Sequence, residues 1–361
     1  MRPARARPLD SLPAPRGAAM LLIAALLLTA CTDGGRARQD QLLAEKTERA
    51  AVVKNLAYWQ DALARPLEQR IGAAPAPLIE FLELDNLDQG YTEKPRAPAL
   101  ADDFMRDVRA AWAGLPEQVR RPLAAKLVGI YLVDAMGSSG WSEEVADADG
   151  RVVAGVIVLD AGVLAGQRAN AWATWKENTP FKPRAGYRLE ARIEDAAQDN
   201  RVQAIQFILL HEMGHVLAMG GDIHPSPNAA PKDVPDHPPY PFFNLSWSVN
   251  RNGKYASRFD ATFQQRREVV YYLGARLDAA QMPQVYTALD ATSFATLYGA
   301  TNPFDDFAEA YVTYVHTVLM GRPYAVRLYV GDTLQQTYTA CWDEARCAPK
   351  RRIIEDLLRA P

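Results

Sequence analysis

The chain contains little histidine and cysteine, and it has no excess of positive charge. Its 361 residues include 5 histidines, 3 cysteines, 40 basic and 43 acidic side chains. A surface able to bind a polyanion is therefore not expected, which argues against nucleic acid as a partner. Beyond residue 30, no apolar run is long enough to cross a membrane, and no internal repeat is found. The remaining length, about 330 residues, suits one catalytic domain with additions.

The first thirty residues have the pattern of a secretory signal. Four arginines form a basic segment, and residues 18–30 form an apolar segment that is too short to span a bilayer. This segment ends in Leu-Thr-Ala-Cys31, which resembles a bacterial lipobox. The resemblance implies that Cys31 is lipidated and anchors the protein to a membrane of the bacterial cell envelope, periplasmic or outer. Removal of residues 1–30 takes away four arginines and one aspartate, so 36 basic and 42 acidic residues remain, a net charge of −6.

One stretch near the middle of the chain combines metal ligands with a base. Residues 208–217 read Ile-Leu-Leu-His-Glu-Met-Gly-His-Val-Leu, an apolar run of helical length. At 3.6 residues per turn, His211 and His215 share one face and can bind one tetrahedral zinc ion. Glu212 lies beside them and can take a proton from a metal-bound water. The alternative is that two core histidines have this spacing by chance. Because the chain has so few histidines, a metal site is the better explanation.

A catalytic zinc site needs a third protein ligand and an open position. The metzincin continuation would need Gly and His where this chain has Ala218 and Gly221, so that class is excluded. A later predicted helix carries Asp305 and Glu309 on one face. One of them could bind zinc while the other accepts a hydrogen bond from a ligand histidine. The alternative is a solvated acidic first turn, against which the apolar residues of the same helix argue.

The stretch Tyr298-Gly-Ala-Thr-Asn-Pro-Phe-Asp305-Asp-Phe-Ala-Glu309 resembles the second motif of lethal-factor-type gluzincins and of bacterial Mlc-titration-factor-type peptidases. The resemblance implies that Tyr298 stabilises the oxyanion, that Asp305 is the third ligand and that Glu309 supports a ligand histidine. The chain departs from the family in having Asp, not Glu, at the ligand position. Either the helix approaches more closely, or Glu309 is the ligand instead. Tyr311 and Tyr314 are alternative oxyanion donors, although packing within the helix is the favoured interpretation of both.

The order of predicted elements indicates an α+β fold. Strands are predicted over residues 128–133 and 151–160, and the metal helix begins at Asp199 or Asn200 and ends at Gly220–Gly221. Other helices are predicted over residues 41–67, 99–113, 116–127, 262–276, 281–289, 303–316 and 351–358. The family resemblance implies a zincin-like catalytic domain over residues 98–361, after a tether (31–40) and a helical region (41–97). Zinc peptidases of this type usually carry an edge strand that pairs with extended substrate, and residues 152–159 are the candidate, with a plain buried strand as the alternative.

Four further features do not point to a single role. The segment 222–241 is too rich in proline for regular structure, and it is either a flap over the substrate or a passive insertion. Its His224 and His237 are expected to be solvated loop residues; a second metal site is the alternative. His316, alone on its helix, is expected to be a satisfied polar group. Cys341 and Cys347 could close a short loop as a disulfide.

These features predict a membrane-anchored zinc metallopeptidase that acts on a protein or peptide. Two other functions stay open. One is an inactive zinc-binding lipoprotein that serves as an envelope assembly or binding factor, against which the retained Glu212 argues. The other is a zinc amidase acting on cell-wall peptide.

Overall fold

The computed structural model of the protein describes residues 45–235 and 239–359. From Ala50 onward the described chain forms one compact unit, and the described residues 45–49 fall outside it. The predicted signal peptide, tether and lipidation site Cys31, and also His237, lie outside the described residues. No described helix combines the length and the apolar character needed to span a bilayer.

The unit from Ala50 onward mixes strands and helices, so its fold is α+β. Its strands are β1 (Ile71–Ala73), β2 (Leu127–Val133), β3 (Gly140–Ala146), β4 (Val152–Asp160), β5 (Phe181–Lys182), β6 (Tyr187–Arg192), β7 (Trp247–Val249), β8 (Tyr255–Ser257), β9 (Leu277–Asp278), β10 (Ala325–Val330) and β11 (Thr333–Thr339). Its α-helices are α1 (Gln60–Leu63), α2 (Ala76–Asp88), α3 (Asp102–Ala113), α4 (Glu117–Arg120), α5 (Leu123–Lys126), α6 (Ala161–Leu164), α7 (Ala169–Asn178), α8 (Arg201–Ala218), α9 (Phe243–Ser246), α10 (Met282–Asp290), α11 (Pro303–Tyr314) and α12 (Ala348–Arg359).

The main sheet has the strand order β1-β2-β4-β3. Strands β1, β2 and β4 are parallel, and β3 runs antiparallel to β4 at the edge. Strand β4 is buried on both faces, since Ile157 packs in one hydrophobic cluster and Val156 in another. A second sheet has the antiparallel order β11-β10-β6, while β5 pairs with β9 and β7 pairs with β8.

Helix α8 lies against β3 and β4 and also contacts α3, α7 and α11. The Asn200 side chain caps it by accepting from the Gln203 amide, as the sequence predicts. Past its end, Gly220 has φ +65° and lies so close to the sheet that a Cβ there would be 2.0 Å from the Val152 carbonyl oxygen. Only glycine fits this position, so the predicted stop is confirmed.

Helix α11 crosses α8 at very short range. The Asn302 side chain accepts from the amides of Phe304 and Asp305, and Pro303 occupies the first turn, both as predicted. At the crossing, a Cβ added to Gly214 would lie 2.8 Å from the Cα of Ala308. The absence of a side chain at Gly214 therefore permits the close approach of the two helices.

Three predictions about the elements are wrong. The helix predicted over 41–67 is interrupted within the described residues, because Asn55 is extended between the 3-10 turns Ala51–Lys54 and Leu56–Trp59, and only Gln60–Leu63 follows as a short α-helix. Residues 152–159 are not an edge strand, because β4 lies between β2 and β3; the edge strand is β3. The helix predicted over 262–276 is reduced to a 3-10 turn, Gln264–Glu268. The predicted boundary near residue 97 falls inside the larger unit, in which β1 pairs with β2.

Candidate metal centre

Three predicted side chains meet where α8 crosses α11. His211 Nε2 lies 3.2 Å from His215 Nε2. Asp305 Oδ1 lies 3.6 Å from His211 Nε2 and 3.5 Å from His215 Nε2. Among the residues that the structure describes, these three form the one group of His, Cys, Asp or Glu side chains with geometry for a metal ion.

The spacing of these atoms matches the coordination of a small tetrahedral ion. At zinc–ligand distances of about 2.0–2.1 Å, neighbouring ligand atoms of a tetrahedron are about 3.3 Å apart. The three observed distances, 3.2–3.6 Å, bracket that value. Two imidazole nitrogens and one carboxylate oxygen leave a fourth position for solvent or substrate, the arrangement of a catalytic rather than a structural site.

Glu309 lies behind His211 and does not reach the cluster. Its Oε1 is 2.9 Å from Nδ1 of His211 and accepts from Lys176 Nζ at 2.7 Å, while its Oε2 accepts from Thr296 Oγ1 at 2.6 Å. A carboxylate at Nδ1 favours the tautomer protonated there and leaves Nε2 free to bind a metal. The geometry therefore favours Asp305 over Glu309 as the third ligand.

The two histidines and the carboxylates of the cluster shift one another's pKa values. Burial lowers the pKa of His211, but Asp305 and then Glu309 raise it more, to about 10. Burial raises the pKa of Asp305, but the two histidines hold it well below its usual value. Burial raises the pKa of Glu309, but Lys176 and His211 lower it more, to about 2. Without a metal, the cluster thus holds a proton on His211 that a bound cation would replace.

Glu212 is buried beside the cluster and faces the edge strand. A Cβ at Gly140 would lie 2.6 Å from Glu212 Oε1, so the glycine makes room for this carboxylate. Burial raises the pKa of Glu212, and the charges of His211 and His215 oppose that rise. The carboxylate lines the same cleft as the three metal-ligand candidates.

Two tyrosines line the cavities around the cluster. The ring of Tyr298 stacks on that of His211 at 5.6 Å, with Lys176 Nζ 4.6 Å from its centroid. Tyr272 has φ +66°, a strained conformation for a bulky residue, and its ring lies 6.0 Å from that of Tyr298. Burial raises the pKa of the Tyr298 hydroxyl well above the usual value, so it stays protonated and can donate a hydrogen bond, whereas Tyr272 is 42% exposed.

The cleft runs along β3. A cavity of about 400 Å³ contains the cluster and extends past Glu144 to Asn228, and a neighbouring one of about 580 Å³ extends past Tyr272. Apart from a bridge between Ala146 and Asn55, no described strand pairs with the outer edge of β3. Backbone groups of β3 are therefore placed to pair with an extended chain in the cleft.

The other candidates lie away from the cluster or differ from expectation. His224 is buried against Phe304, so its prediction as a solvated residue is wrong. His316 Nε2 lies 2.6 Å from the Ile193 carbonyl oxygen, a satisfied polar group as expected. Tyr311 is fully buried, and Tyr314 bonds to Glu355. Neither tyrosine lines the cleft. Cys341 and Cys347 form a disulfide with their Cα atoms 5.8 Å apart.

Sequence reasoning missed Lys176, Tyr272 and the residues of β3. One signal for Lys176 was present, because Trp172 and Lys176 lie four residues apart and share the buried face of α7. Tyr272 and β3 have no such local signal. The chain matches no protein-family model, and no curated protein or solved structure is detectably similar to it.

Proposed function

We propose that this chain is a zinc-dependent metallopeptidase. The observation that carries the proposal is the convergence of His211 Nε2, His215 Nε2 and Asp305 Oδ1 within 3.2–3.6 Å of one another, with Glu212 lining the same cleft. Two nitrogens and one carboxylate oxygen favour zinc over the harder magnesium and calcium ions. The α+β fold, with an antiparallel edge strand beside the metal helix, is consistent with a zincin-like domain.

Each part of the cleft has a role in hydrolysis. Zinc, when bound, lowers the pKa of a coordinated water and polarises the substrate carbonyl. Glu212 takes the proton of the attacking water on its carboxylate and then delivers it to the leaving amine. The Tyr298 hydroxyl donates to the carbonyl oxygen as negative charge develops there. Glu309 and Lys176 hold His211 in orientation. The backbone of β3 pairs with the extended peptide.

The proposed place of action is the bacterial envelope, with the chain held to a membrane through lipidated Cys31. This part of the proposal depends on the lipobox-like sequence alone. Labelling with a radioactive fatty acid tests it, since Cys31→Ser should abolish the label if the cysteine is the acceptor.

The direct test of activity is cleavage of a mixed peptide library by the zinc-loaded full chain, read by mass spectrometry. Cleavage that a chelator stops and zinc restores supports the peptidase. If the folded, zinc-loaded chain cleaves nothing, the inactive zinc-binding lipoprotein becomes the better explanation. Release of cell-wall peptide from peptidoglycan without cleavage of the library would instead indicate an amidase.

Zinc binding is expected to release a proton and to weaken as the pH falls. His211 is protonated in the metal-free protein below its pKa of about 10, and the metal needs the neutral imidazole. The apparent affinity should therefore rise by up to about tenfold per pH unit between pH 6 and 9. Titration calorimetry in two buffers with different ionisation enthalpies measures the released proton. Binding without proton release would show that His211 is already neutral.

Replacing Tyr298 by phenylalanine is expected to lower kcat about 10²-fold with little change in KM, because the lost donor acts on charge that develops in the transition state. Tyr272→Phe is the matched control, and we expect it to cost less than about tenfold. Tyr298 lines the 400 Å³ cavity that contains the cluster, whereas Tyr272 lines the neighbouring cavity and not this one. A larger effect at Tyr272 would make it the oxyanion donor.

A further inference from the structure

Two buried acceptor atoms near the metal centre have no donor among the described residues. Glu144 Oε2 accepts from Ser226 Oγ at 2.7 Å and from Asn228 Nδ2 at 2.8 Å, while Oε1 has no partner. His224 Nδ1 lies 2.8 Å from the Pro225 carbonyl oxygen, so this nitrogen carries the proton. His224 Nε2 is then an acceptor, and it too has no partner. Glu144 is 6% exposed and His224 is 4% exposed.

An unpaired acceptor in a buried position is costly and needs an explanation. Glu144 and His224 line the cleft that holds the metal-ligand candidates, and both also line an adjoining cavity of about 520 Å³. Arg151, the one arginine or lysine lining these two cavities in the described chain, is paired with Asp147 and Asp149 instead. The Glu144 carboxylate and the His224 acceptor thus have no arginine or lysine partner among the described residues.

The strand geometry places Glu144 on the side of the sheet that faces α8. Glu144 is paired across the strands with Gly155, whose Cβ, if present, would lie 2.5 Å from Met219 Sδ beyond the end of α8. A Cβ added to Gly140 would point at Glu212. Gly140 and Glu144 are separated by an even number of residues on β3, so their side chains are on the same face of the sheet. Gly140 and Glu144 are four residues apart, about 13 Å at 3.3 Å per residue.

We propose that Glu144 and His224 form a subsite for a basic side chain of the peptide substrate, two to four residues from the cleaved bond. Two acceptors on separate side chains suit the planar guanidinium of arginine, which has five N–H donors, better than the ammonium of lysine. A metal ion would need at least one more ligand. The proposal depends on the proposed peptidase function, because it assumes that a peptide lies along β3.

The Pro-rich segment acquires a role from the same contacts. Ser226 and Asn228 fasten residues 225–228 to Glu144, and this segment lines both the cleft and the adjoining cavity. Both free acceptor atoms are enclosed, so an arginine side chain reaches them by displacing part of residues 225–228. In this respect the segment acts as a flap that closes on a basic side chain.

The test compares peptides that differ only in arginine or citrulline, its neutral analogue of the same shape. Each is placed two, three or four residues from the bond that the library identifies, on either side. The zinc-loaded full chain should cleave the arginine peptides with a kcat/KM at least about tenfold higher. Binding to the Glu212→Gln protein, read by fluorescence anisotropy, should show a similar ratio. If the library yields no bond, randomised arginine and citrulline peptide pools are used for binding.

Variants assign the preference to a residue. Glu144→Gln should bring the arginine-to-citrulline ratio close to one. Glu143→Gln removes the same charge from the next residue, which is paired with Lys54 at 3.1 Å, and should keep the ratio. Thermal melting checks folding, and Glu144→Asp, which keeps the charge but shortens the side chain, should lower the ratio partially if Glu144→Gln is unstable.

The outcomes distinguish failure of the subsite from failure of the peptidase proposal. Cleavage with no arginine preference, or with a preference that Glu144→Gln leaves intact, overturns the subsite but leaves the peptidase. Arginine-selective binding that depends on Glu144, without any cleavage, supports the subsite and counts against the peptidase. If the folded chain shows neither cleavage nor selective binding, both the subsite and the peptidase proposal are overturned.

Discussion

Replacing Glu212 by glutamine is expected to lower kcat for peptide cleavage by about 10²–10⁴-fold while zinc remains bound. Glutamine keeps the size of the side chain but cannot accept the proton of the attacking water. The proposed ligand atoms belong to His211, His215 and Asp305, so the metal content should not change. Cleavage rates and zinc per chain are measured on the same preparation.

The structure makes glutamine the appropriate change at this position. Glu212 is almost fully enclosed, with its Oε1 close to the backbone of Gly140, so a shorter residue would leave a cavity and a larger one would displace β3. Gly140→Ala is the complementary variant, because its Cβ would lie 2.6 Å from Oε1 and force the carboxylate aside without removing it. Full activity of the Glu212→Gln protein would show that another group is the base.

Local patterns were enough to predict the metal helix and its neighbour. The spacing of His211 and His215, the Asn200 and Asn302 caps and the stop at Gly220 are all set within a few residues of sequence, where helical periodicity and side-chain capping act. Such features can be recognised without knowing what packs against them, and the structure bears them out.

The edge strand could not be predicted because its sequence is polar on the side that faces the cleft. A continuous apolar run such as that of β4 indicates burial on both faces, which is typical of an inner strand. Strand β3 reads Gly-Trp-Ser-Glu-Glu-Val-Ala, and only its pairing with β4 shows that it is a strand at all. Polar residues on an edge strand help sheets to avoid unwanted pairing, which is consistent with the polar sequence of β3.

The contacts of Lys176, Tyr272 and Glu144 depend on tertiary structure. Lys176 meets Glu309 across a sequence separation of 133 residues, and Glu144 meets Ser226 across 82. No spacing rule applies at such separations. Strain at Tyr272 is likewise a product of the fold, since nothing in its sequence requires a positive φ.

Replacing Asp305 and Glu309 one at a time is expected to show which carboxylate is the third zinc ligand. Asp305→Ala should weaken zinc binding by more than the roughly 10–100-fold that loss of an outer hydrogen-bonding partner costs. The loss of zinc affinity in Glu309→Gln should fall within that 10–100-fold range, because Glu309 contacts Nδ1 of His211 and none of the three proposed ligand atoms. Competition with a chromogenic chelator measures both affinities.

Glu309 needs a matched partner change to be interpreted. Its removal alone would leave the buried Lys176 ammonium without its closest carboxylate, a charge imbalance that destabilises the protein. The double variant Lys176→Met with Glu309→Gln removes both charges together, so a change in zinc affinity can be separated from a loss of folding. Thermal melting of the metal-free proteins provides the check.

The helix crossing would allow an aspartate to take the proposed ligand role, in which the families that the motif resembles have glutamate. Because Gly214 lets the backbone of α11 approach α8 at Ala308, the shorter side chain of Asp305 reaches the two histidines. Gly214→Ala should therefore mimic Asp305→Ala in zinc affinity although it removes no ligand. If Glu309→Gln instead had the larger effect and Asp305→Ala the smaller one, Glu309 would be the ligand, and α11 would have to rotate on α8 when zinc binds.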